Sequence, residues 1–289
     1  MTSLALNRRS VNRLVHGAVL AGLGLALFWP TLQWMAERFD AHDSFYSHGW
    51  LIPFASGWLI WQRREQLSGV PVTPSWRGLA LLIPALSVHA LATVWHIGFV
   101  AALAMLAAIV GVLWVYGGGR LAWALRMPLA FLLFMVPLPG VLLIGISFHM
   151  KLAAAALATQ AVRLMGIPVQ QAGSTLQLPG VAIMVDDTCS GLRSLISLVA
   201  LATLWSTLLP AGSRRWQRLT IVASSIPIAL AANMVRIMLL ILIALVYGPK
   251  AAQGFVHTSS GFVVFGVAVA ALVGVSRGVQ RWSPAPDPR

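Results

Sequence analysis

Three residues late in the chain have side chains that together could carry out acyl transfer. Cys189 is the only cysteine. A thiol is a nucleophile only as the thiolate, and a nearby cation favours the thiolate. His257 could be that partner and could protonate a leaving amine. Arg236 could stabilise the oxyanion of a tetrahedral intermediate, most strongly where water is excluded. The three types predict acyl transfer through a thioester.

Each of these residues also has a structural explanation. A single cysteine in an apolar helix is usually a small packing residue, and His257 alone could be an interfacial histidine. Arg236 is harder to explain in this way, because an arginine inside a membrane helix costs at least ~2.5 kcal/mol and usually faces a site or a partner. The alternative for Arg236 is that it reaches the lipid headgroups or pairs with Asp186 or Asp187.

Other polar residues lie close to these three in the sequence. Asn233 precedes Arg236 by three residues, which puts both on one helical face and lets the amide orient the guanidinium. The candidate supporting or substrate-binding residues are His48, Asp187, Ser190, Arg193 and Asn233. Interface or packing roles are expected for His16, His89, His96 and His149. A single cysteine excludes an internal disulfide, and no ligand cluster has metal-site spacing, so we expect no metal and no cofactor.

The composition indicates that membrane helices position these residues. Of the 289 residues 58% are hydrophobic and only 9% are charged, whereas a soluble domain has roughly 25% charged residues. We therefore predict an all-α polytopic membrane protein with about eight transmembrane helices. The apolar segments are Leu14 to Met35, Phe45 to Trp61, Gly78 to Val94, Ile97 to Tyr116, Leu121 to Phe148, Ser190 to Leu209, Leu219 to Tyr247 and Phe255 to Ser276.

The predicted organisation is a single integral membrane domain over residues 1–289. A small extracytoplasmic insert, about residues 149–188, lies between the fifth and sixth spans. Its first half, Lys151 to Met165, is alanine-rich and helical in pattern. Its second half, Ile167 to Val185, suggests a small hairpin or an extended stretch outside the bilayer. The fifth span contains three prolines and should be kinked or broken. The tail from about residue 277 to 289 is short and proline-rich, and we expect it to be loose.

Loop charges predict the orientation. With eight spans, 14 of the 20 basic residues fall on one side of the membrane and five of the seven acids on the other. The positive-inside rule makes the arginine-rich side, with both termini, cytoplasmic. Residue 236 then lies about 25 Å along the seventh span from its cytoplasmic start. Cys189 stands at the outer end of the sixth span and His257 at the outer start of the eighth, so all three residues reach a similar depth.

At this point the residues resemble a known family. The stretch from Cys189 to Leu195 (CSGLRSL), then NMVRI from Asn233, then His257 followed by Ser260-Gly261, resembles the exosortase/archaeosortase family. The stretch from His48 to Pro53, followed by Trp61 and the pair Arg63-Arg64, resembles the N-terminal region of that family. The resemblance covers about Ser44 to Val275.

The resemblance implies a membrane-embedded cysteine transpeptidase or protease. Members of this family cleave C-terminal Pro-Glu-Pro-type sorting signals of exported proteins, and the product passes to an acceptor or to water. The signal consists of a motif, a transmembrane helix and a basic tail. The expected catalytic residues map onto Cys189, Arg236 and His257. The implied location is the bacterial inner membrane, with the active site at the extracytoplasmic face.

Two other functions remain open at this stage. One is a multi-pass transporter or flippase in which Arg236 and His257 line an anion path. The other is a non-catalytic assembly protein of a polysaccharide export system. Expected partners are exported proteins with a sorting signal, membrane lipids and a polysaccharide or lipid-linked acceptor. Nucleic acid is not expected, because the net charge of +13 is explained by arginines in loops that anchor helices.

Overall fold

The computed structural model describes residues 8–42, 44–178, 181–184, 191–210, 212–248, 251 and 255–282. Only the backbone is described for residues 8–16, 18, 20, 181, 183–184, 255 and 257–258. Within these residues, helices predominate. The helices are α1 (Arg8–Asp40), α2 (Ile52–Gln62), α3 (Arg64–Ser68), α4 (Leu79–Val94), α5 (Gly98–Gly117), α6 (Gly119–Ala124), α7 (Arg126–Phe131), α8 (Gly140–Leu164), α9 (Leu192–Thr207), α10 (Arg215–Tyr247) and α11 (Phe255–Trp282). Three-residue to five-residue 3₁₀ turns cover Ser47–Leu51, Trp76–Gly78 and Leu132–Met135.

One compact unit comprises Met1–Asp40 and Arg63–Leu129, and its main packing is between α4 and α5. Small residues let these helices approach: a Cβ on Gly111 would lie 2.9 Å from the Cα of Leu82. Close approach through small residues is the usual way membrane helices associate. His89 on α4 is buried and forms a 3.0 Å hydrogen bond with Thr31 on α1. His89 is therefore a satisfied packing residue, as its sequence position indicated.

The second compact unit comprises Ala41–Gln62 and Ala130–Arg289. Its centre is α10, which packs against both α9 and α11. The core between these three helices contains Leu198, Ile221 and Leu272, none more than 2% exposed. Contacts run from Gly191 beside Asn233 at one end to Leu209 in the cluster with Ile221 at the other. Helices α9 and α10 are therefore antiparallel.

The fifth apolar segment is broken, as its prolines predicted, but its predicted end at Phe148 is wrong. Helical structure stops at Met135, and Val136 and Pro139 have extended ψ angles of 113° and 137°. A residue that precedes proline is disfavoured in the helical conformation, which accounts for the break around Pro137. Helix α8 then begins at Gly140 and runs without interruption to Leu164. The alanine-rich stretch is the second half of this helix, because nothing after Phe148 breaks it.

The predicted hairpin is confirmed and carries a third strand. Strands β1 (Gln170–Ala172), β2 (Thr175–Leu178) and β3 (Val181–Met184) form an antiparallel sheet in the order β1-β2-β3. Leu176 and Leu178 on β2 are buried against α8 and the second half of α10. The turn between β1 and β2 contains Gly173 at φ +64°. Alternation of buried and exposed side chains along β2 is typical of a strand with one covered face.

Five of the described helical segments are long and apolar enough to cross a membrane by length and composition. They are Trp76–Val94, Gly98–Gly117, Gly140–Leu164, Arg215–Tyr247 and Ser259–Trp282. The chain is thus an all-α polytopic membrane protein, apart from its small sheet. The count of eight spans, the extracytoplasmic insert at 149–188 and the single domain stay predictions. The prediction of a loose tail from about residue 277 is wrong in part, since α11 continues to Trp282. No proline interrupts the helix before that point, and the first proline after it is Pro284.

Candidate functional site

The structure describes some of the predicted site residues and not others. Cys189, Asp187 and Ser190 lie outside the described residues, as do Asp186 and Thr188. His257 lies in the first turn of α11, where only the backbone is described. The four remaining candidates are Arg193, Asn233, Arg236 and His48, and all four line one cavity of about 750 Å³. The predicted shared depth of Cys189, Arg236 and His257 stays a prediction, because Cys189 and the side chain of His257 are not described.

The start of α9 is held against α10 by a glycine. Gly191, the residue before α9, has the left-handed conformation with φ +78°. A Cβ at this position would lie 2.6 Å from Cγ of Asn233, closer than real Cβ contacts. Glycine is required here both by its backbone angle and by its neighbour. The contact fixes the chain, two residues after Cys189, beside the cavity.

Arg236 is held by helix α11. Its Nε donates a hydrogen bond to Ser260 Oγ at 3.3 Å. Gly261 lies against the same guanidinium, with the position of a Cβ 3.7 Å from Cζ. Ser260 and Gly261 therefore position the guanidinium of Arg236 at the cavity. Asn233 is 5% exposed and packs on Gly191, and its orientation of the guanidinium stays a prediction.

His48 enters the cavity from the 3₁₀ turn Ser47–Leu51. Its Nδ1 lies 3.1 Å from Oγ of Ser197, on the second turn of α9. The ring of Tyr46 stacks on the imidazole, with centroids 5.8 Å apart and planes 27° apart. The hydroxyl of Tyr46 accepts a hydrogen bond from the backbone N–H of Leu138 at 3.2 Å. Sequence reasoning missed Ser197 and Tyr46. The only signal for Ser197 was its place four residues after Arg193, on the same helical face.

The cavity is polar at one end and apolar at the other. Its polar end is lined by Ser47, His48, Arg193, Ser197, Asn233 and Arg236. Its apolar end is lined by Leu201, Leu204, Ala229, Phe265 and Ala268.

The separation of polar from apolar lining residues follows from the directions of α9 and α10. On α9 the polar lining residues come before the apolar ones, and on α10 they come after them. Because α9 and α10 are antiparallel, the polar residues meet at one end. From Arg193 to Leu204 the cavity follows α9 for about 16 Å, at ~1.5 Å per residue. A site with this gradient can hold a ligand whose polar part continues into an apolar part.

The charge of the lining is positive. Arg193 and Arg236 line the cavity, and no carboxylate side chain does so among the residues that the structure describes. Within the same residues, no group of three or more histidine, cysteine, aspartate or glutamate side chains is placed to hold a metal ion. The lining is therefore suited to a negatively charged ligand, which arginine side chains recognise well.

Comparison with known proteins gives one match. The family described as transmembrane exosortase (Exosortase_EpsH) matches residues 34–274. The matched region includes α2, α9, α10 and all but the end of α11, and so every described lining residue of the cavity. Searches among curated proteins and among solved structures each returned no match. The family match covers most of the chain, and the protein therefore belongs to the transmembrane exosortase family.

Proposed function

We propose that this protein is a membrane-embedded cysteine transpeptidase or peptidase that processes C-terminal sorting signals. The observation that carries the proposal is the shared cavity of Arg193, Asn233, Arg236 and His48 at the start of α9. Two residues of chain span at most ~7 Å. The Cα of the nucleophile Cys189 is therefore no farther than this from the Cα of Gly191, which packs on Asn233. A thiol nucleophile near a guanidinium supplies two of the groups that acyl transfer uses, the attacking atom and a donor for the oxyanion.

In this mechanism Cys189 attacks the scissile carbonyl as a thiolate. Arg236 donates hydrogen bonds to the oxygen that becomes negative in the tetrahedral intermediate. Its hydrogen bond to Ser260 supports this role, since a side chain already held in place needs no reorganisation during the reaction. His257 protonates the leaving amine, which breaks the peptide bond and leaves a thioester on Cys189. Water or an acceptor then resolves the thioester.

The proposed substrate is an exported protein with a Pro-Glu-Pro-type signal followed by a transmembrane helix. Charge supports this choice, because the acidic residue of the motif would meet Arg193 and Arg236 at the polar end of the cavity. Polarity supports it as well. A signal that passes from a polar motif into an apolar helix has the same order as the cavity lining, which becomes apolar toward Leu204 and Ala229.

The proposed location is the bacterial inner membrane, with both termini in the cytoplasm and the active site outside. Helix α10 supports this arrangement. Its 33 residues extend about 50 Å, longer than a ~30 Å hydrocarbon core. Measured from Arg215, the arginine-rich end, Arg236 is 21 residues along the helix, which is about 32 Å. Counted from Leu219, where the predicted span begins, Arg236 is 17 residues along the helix, which is about 25 Å. The guanidinium would then lie in the outer leaflet of the ~30 Å core, near the face where an exported protein becomes accessible.

Co-expression with a tagged sorting-signal substrate tests the proposal. Membranes that contain the wild-type protein should yield a cleaved substrate, and mass spectrometry should detect a thioester between its new C-terminus and Cys189. Membranes with Cys189→Ala, matched for protein level, should yield neither product. Cleavage without any adduct on the cysteine would refute the cysteine mechanism, and no cleavage by the wild type would refute the proposed substrate class.

A further inference from the structure

Ser197 and His48 form a hydrogen-bonded pair that the acyl-transfer roles above leave unused. The pair joins α9 to the 3₁₀ turn Ser47–Leu51, from positions 149 residues apart in the sequence. The distance between Oγ and Nδ1 is 3.1 Å, and both residues line the cavity. A serine and a histidine in this relation are the usual pair for passing a proton between a hydroxyl and an imidazole.

The imidazole of His48 is held in one orientation. Tyr46 is 4% exposed and stacks on the ring, and its own hydroxyl is fixed by the backbone of Leu138. Ser197 lies on the rigid helix α9, two turns from Gly191. A histidine supported in this way by packing and hydrogen bonds is suited to a reaction that depends on geometry, because little conformational freedom remains to be lost.

Transfer of a proton from Ser197 to Nδ1 requires the tautomer of His48 that carries its own proton on Nε2. His48 Nε2 is buried and has no hydrogen-bond partner among the described residues. In the tautomer that carries its proton on Nε2, Nδ1 is an acceptor. Nδ1 can then receive the hydroxyl proton of Ser197.

We propose that His48 and Ser197 form a proton relay for the nucleophile that resolves the thioester. This inference rests on the proposed function. The N–H or O–H of the acceptor gives its proton to Ser197 Oγ, while the proton of Ser197 moves to His48 Nδ1. The acceptor atom bonds to the thioester carbon, the C–S bond breaks, and Cys189 leaves as a thiolate. The proton on His48 later returns to the thiolate or to solvent, which restores the starting state.

The relay gives the two histidines separate tasks. His257 protonates the amine that leaves in the first half of the reaction, and His48 deprotonates the acceptor in the second half. The relay starts at Ser197, about 9 Å along α9 from Gly191 at ~1.5 Å per residue. An acceptor that enters the cavity could contact Ser197, because Ser197 lines it. A relay that acts only in the second half predicts a selective defect when it is removed.

The test uses the full-length protein in membranes with a sorting-signal substrate. His48→Asn keeps a hydrogen-bond acceptor near the position of Nδ1 but cannot take up a proton. We expect His48→Asn to form the Cys189 thioester at a rate near wild type and to release it ~10²–10⁴-fold more slowly, the range for loss of a general base. Ser197→Ala should show the same pattern. Hydroxylamine, a strong nucleophile that needs no base, should restore release in both variants.

Two matched controls accompany these variants. His149→Asn makes the same change at an exposed histidine whose Nδ1 contacts the carbonyl of Gly145 in its own helix. Ser206→Ala makes the serine change farther along α9, where Oγ donates to the carbonyl of Thr203. Neither residue lines the cavity, so both variants should form and release the thioester like wild type.

Three results would overturn the relay. One is release at the wild-type rate by His48→Asn or Ser197→Ala. The second is an equal loss of thioester formation and release that hydroxylamine does not restore, which would mean that the pair only holds the fold. His48→Gln is a second substitution at the same position, and its rates of thioester formation and release are compared with those of His48→Asn at matched membrane levels. A loss confined to one of the two variants indicates poor folding of that variant. The third is the absence of any thioester in the wild type, which would instead refute the proposed function on which the relay depends.

Discussion

Gly191 lies directly against Asn233, and the space between them does not admit a methyl group. Gly191 has φ +78°, and a Cβ there would come within 2.6 Å of the Asn233 side chain. The side chain of Asn233 is buried in α10 and cannot move away easily. This contact sets the distance between the chain that follows Cys189 and the helix that carries Arg236.

We expect Gly191→Ala to abolish processing and to lower thermal stability. The left-handed backbone alone costs an L-residue about 1–2 kcal/mol, and the clash adds to it. Gly173→Ala is the matched control, because Gly173 also has positive φ but has open space around its Cα. The comparison measures cleavage and thermal unfolding in the same membranes. Equal effects of the two substitutions would contradict a role for the Gly191–Asn233 contact.

Arg236→Lys should process its substrate ~10²–10³-fold more slowly than wild type, the range for loss of one oxyanion donor. Lysine keeps the charge but lacks the planar fork, and the hydrogen bond from Nε to Ser260 cannot form in the same geometry. Arg120→Lys, at an exposed arginine outside the cavity, should be neutral. Initial cleavage rates at equal protein levels give the comparison, and a wild-type rate for Arg236→Ala would remove this residue from the mechanism.

The orientation is tested by reporter fusions. We expect reporters at Gly69, Gly118 and the C-terminus to be cytoplasmic, and reporters at Asp43 and Gly173 to be outside. The physical reason is the arginine bias, which places 14 of the 20 basic residues on one side of an eight-span arrangement. A cytoplasmic signal from Gly173 would contradict both the orientation and an outward-facing site.

Part of the site could be predicted from the sequence because its physics is local. An arginine within an apolar membrane helix costs free energy, so its presence there indicates a function. A three-residue spacing puts Asn233 on the same helical face as Arg236. Loop charge then predicted that Arg236 reaches a similar depth to Cys189 and His257 in two other helices. The structure brings Arg193, Asn233, Arg236 and His48 to one cavity, a grouping that the sequence did not predict.

The remaining features depend on long-range contacts. Nothing in the sequence near Ser197 indicates a partner at His48, 149 residues away, and Tyr46 reads as one more aromatic residue in an apolar segment. The predicted end of the fifth apolar segment at Phe148 is wrong for a different reason. A run of apolar residues up to Phe148 and an alanine-rich run after it have different composition, yet both favour helix, so the boundary between them is not a helix end.

The most direct test of the account is the single thiol. Cys189→Ala should abolish cleavage and leave membrane insertion and stability nearly unchanged, because losing one small group costs only about 1 kcal/mol. Cys189→Ser should be almost as inactive, since a hydroxyl ionises far less readily than a thiol. With one cysteine in the chain, a single alkylation event should inactivate the wild type, and substrate should protect against it. Cleavage by Cys189→Ala at a rate close to wild type would contradict the thioester mechanism and favour a transporter.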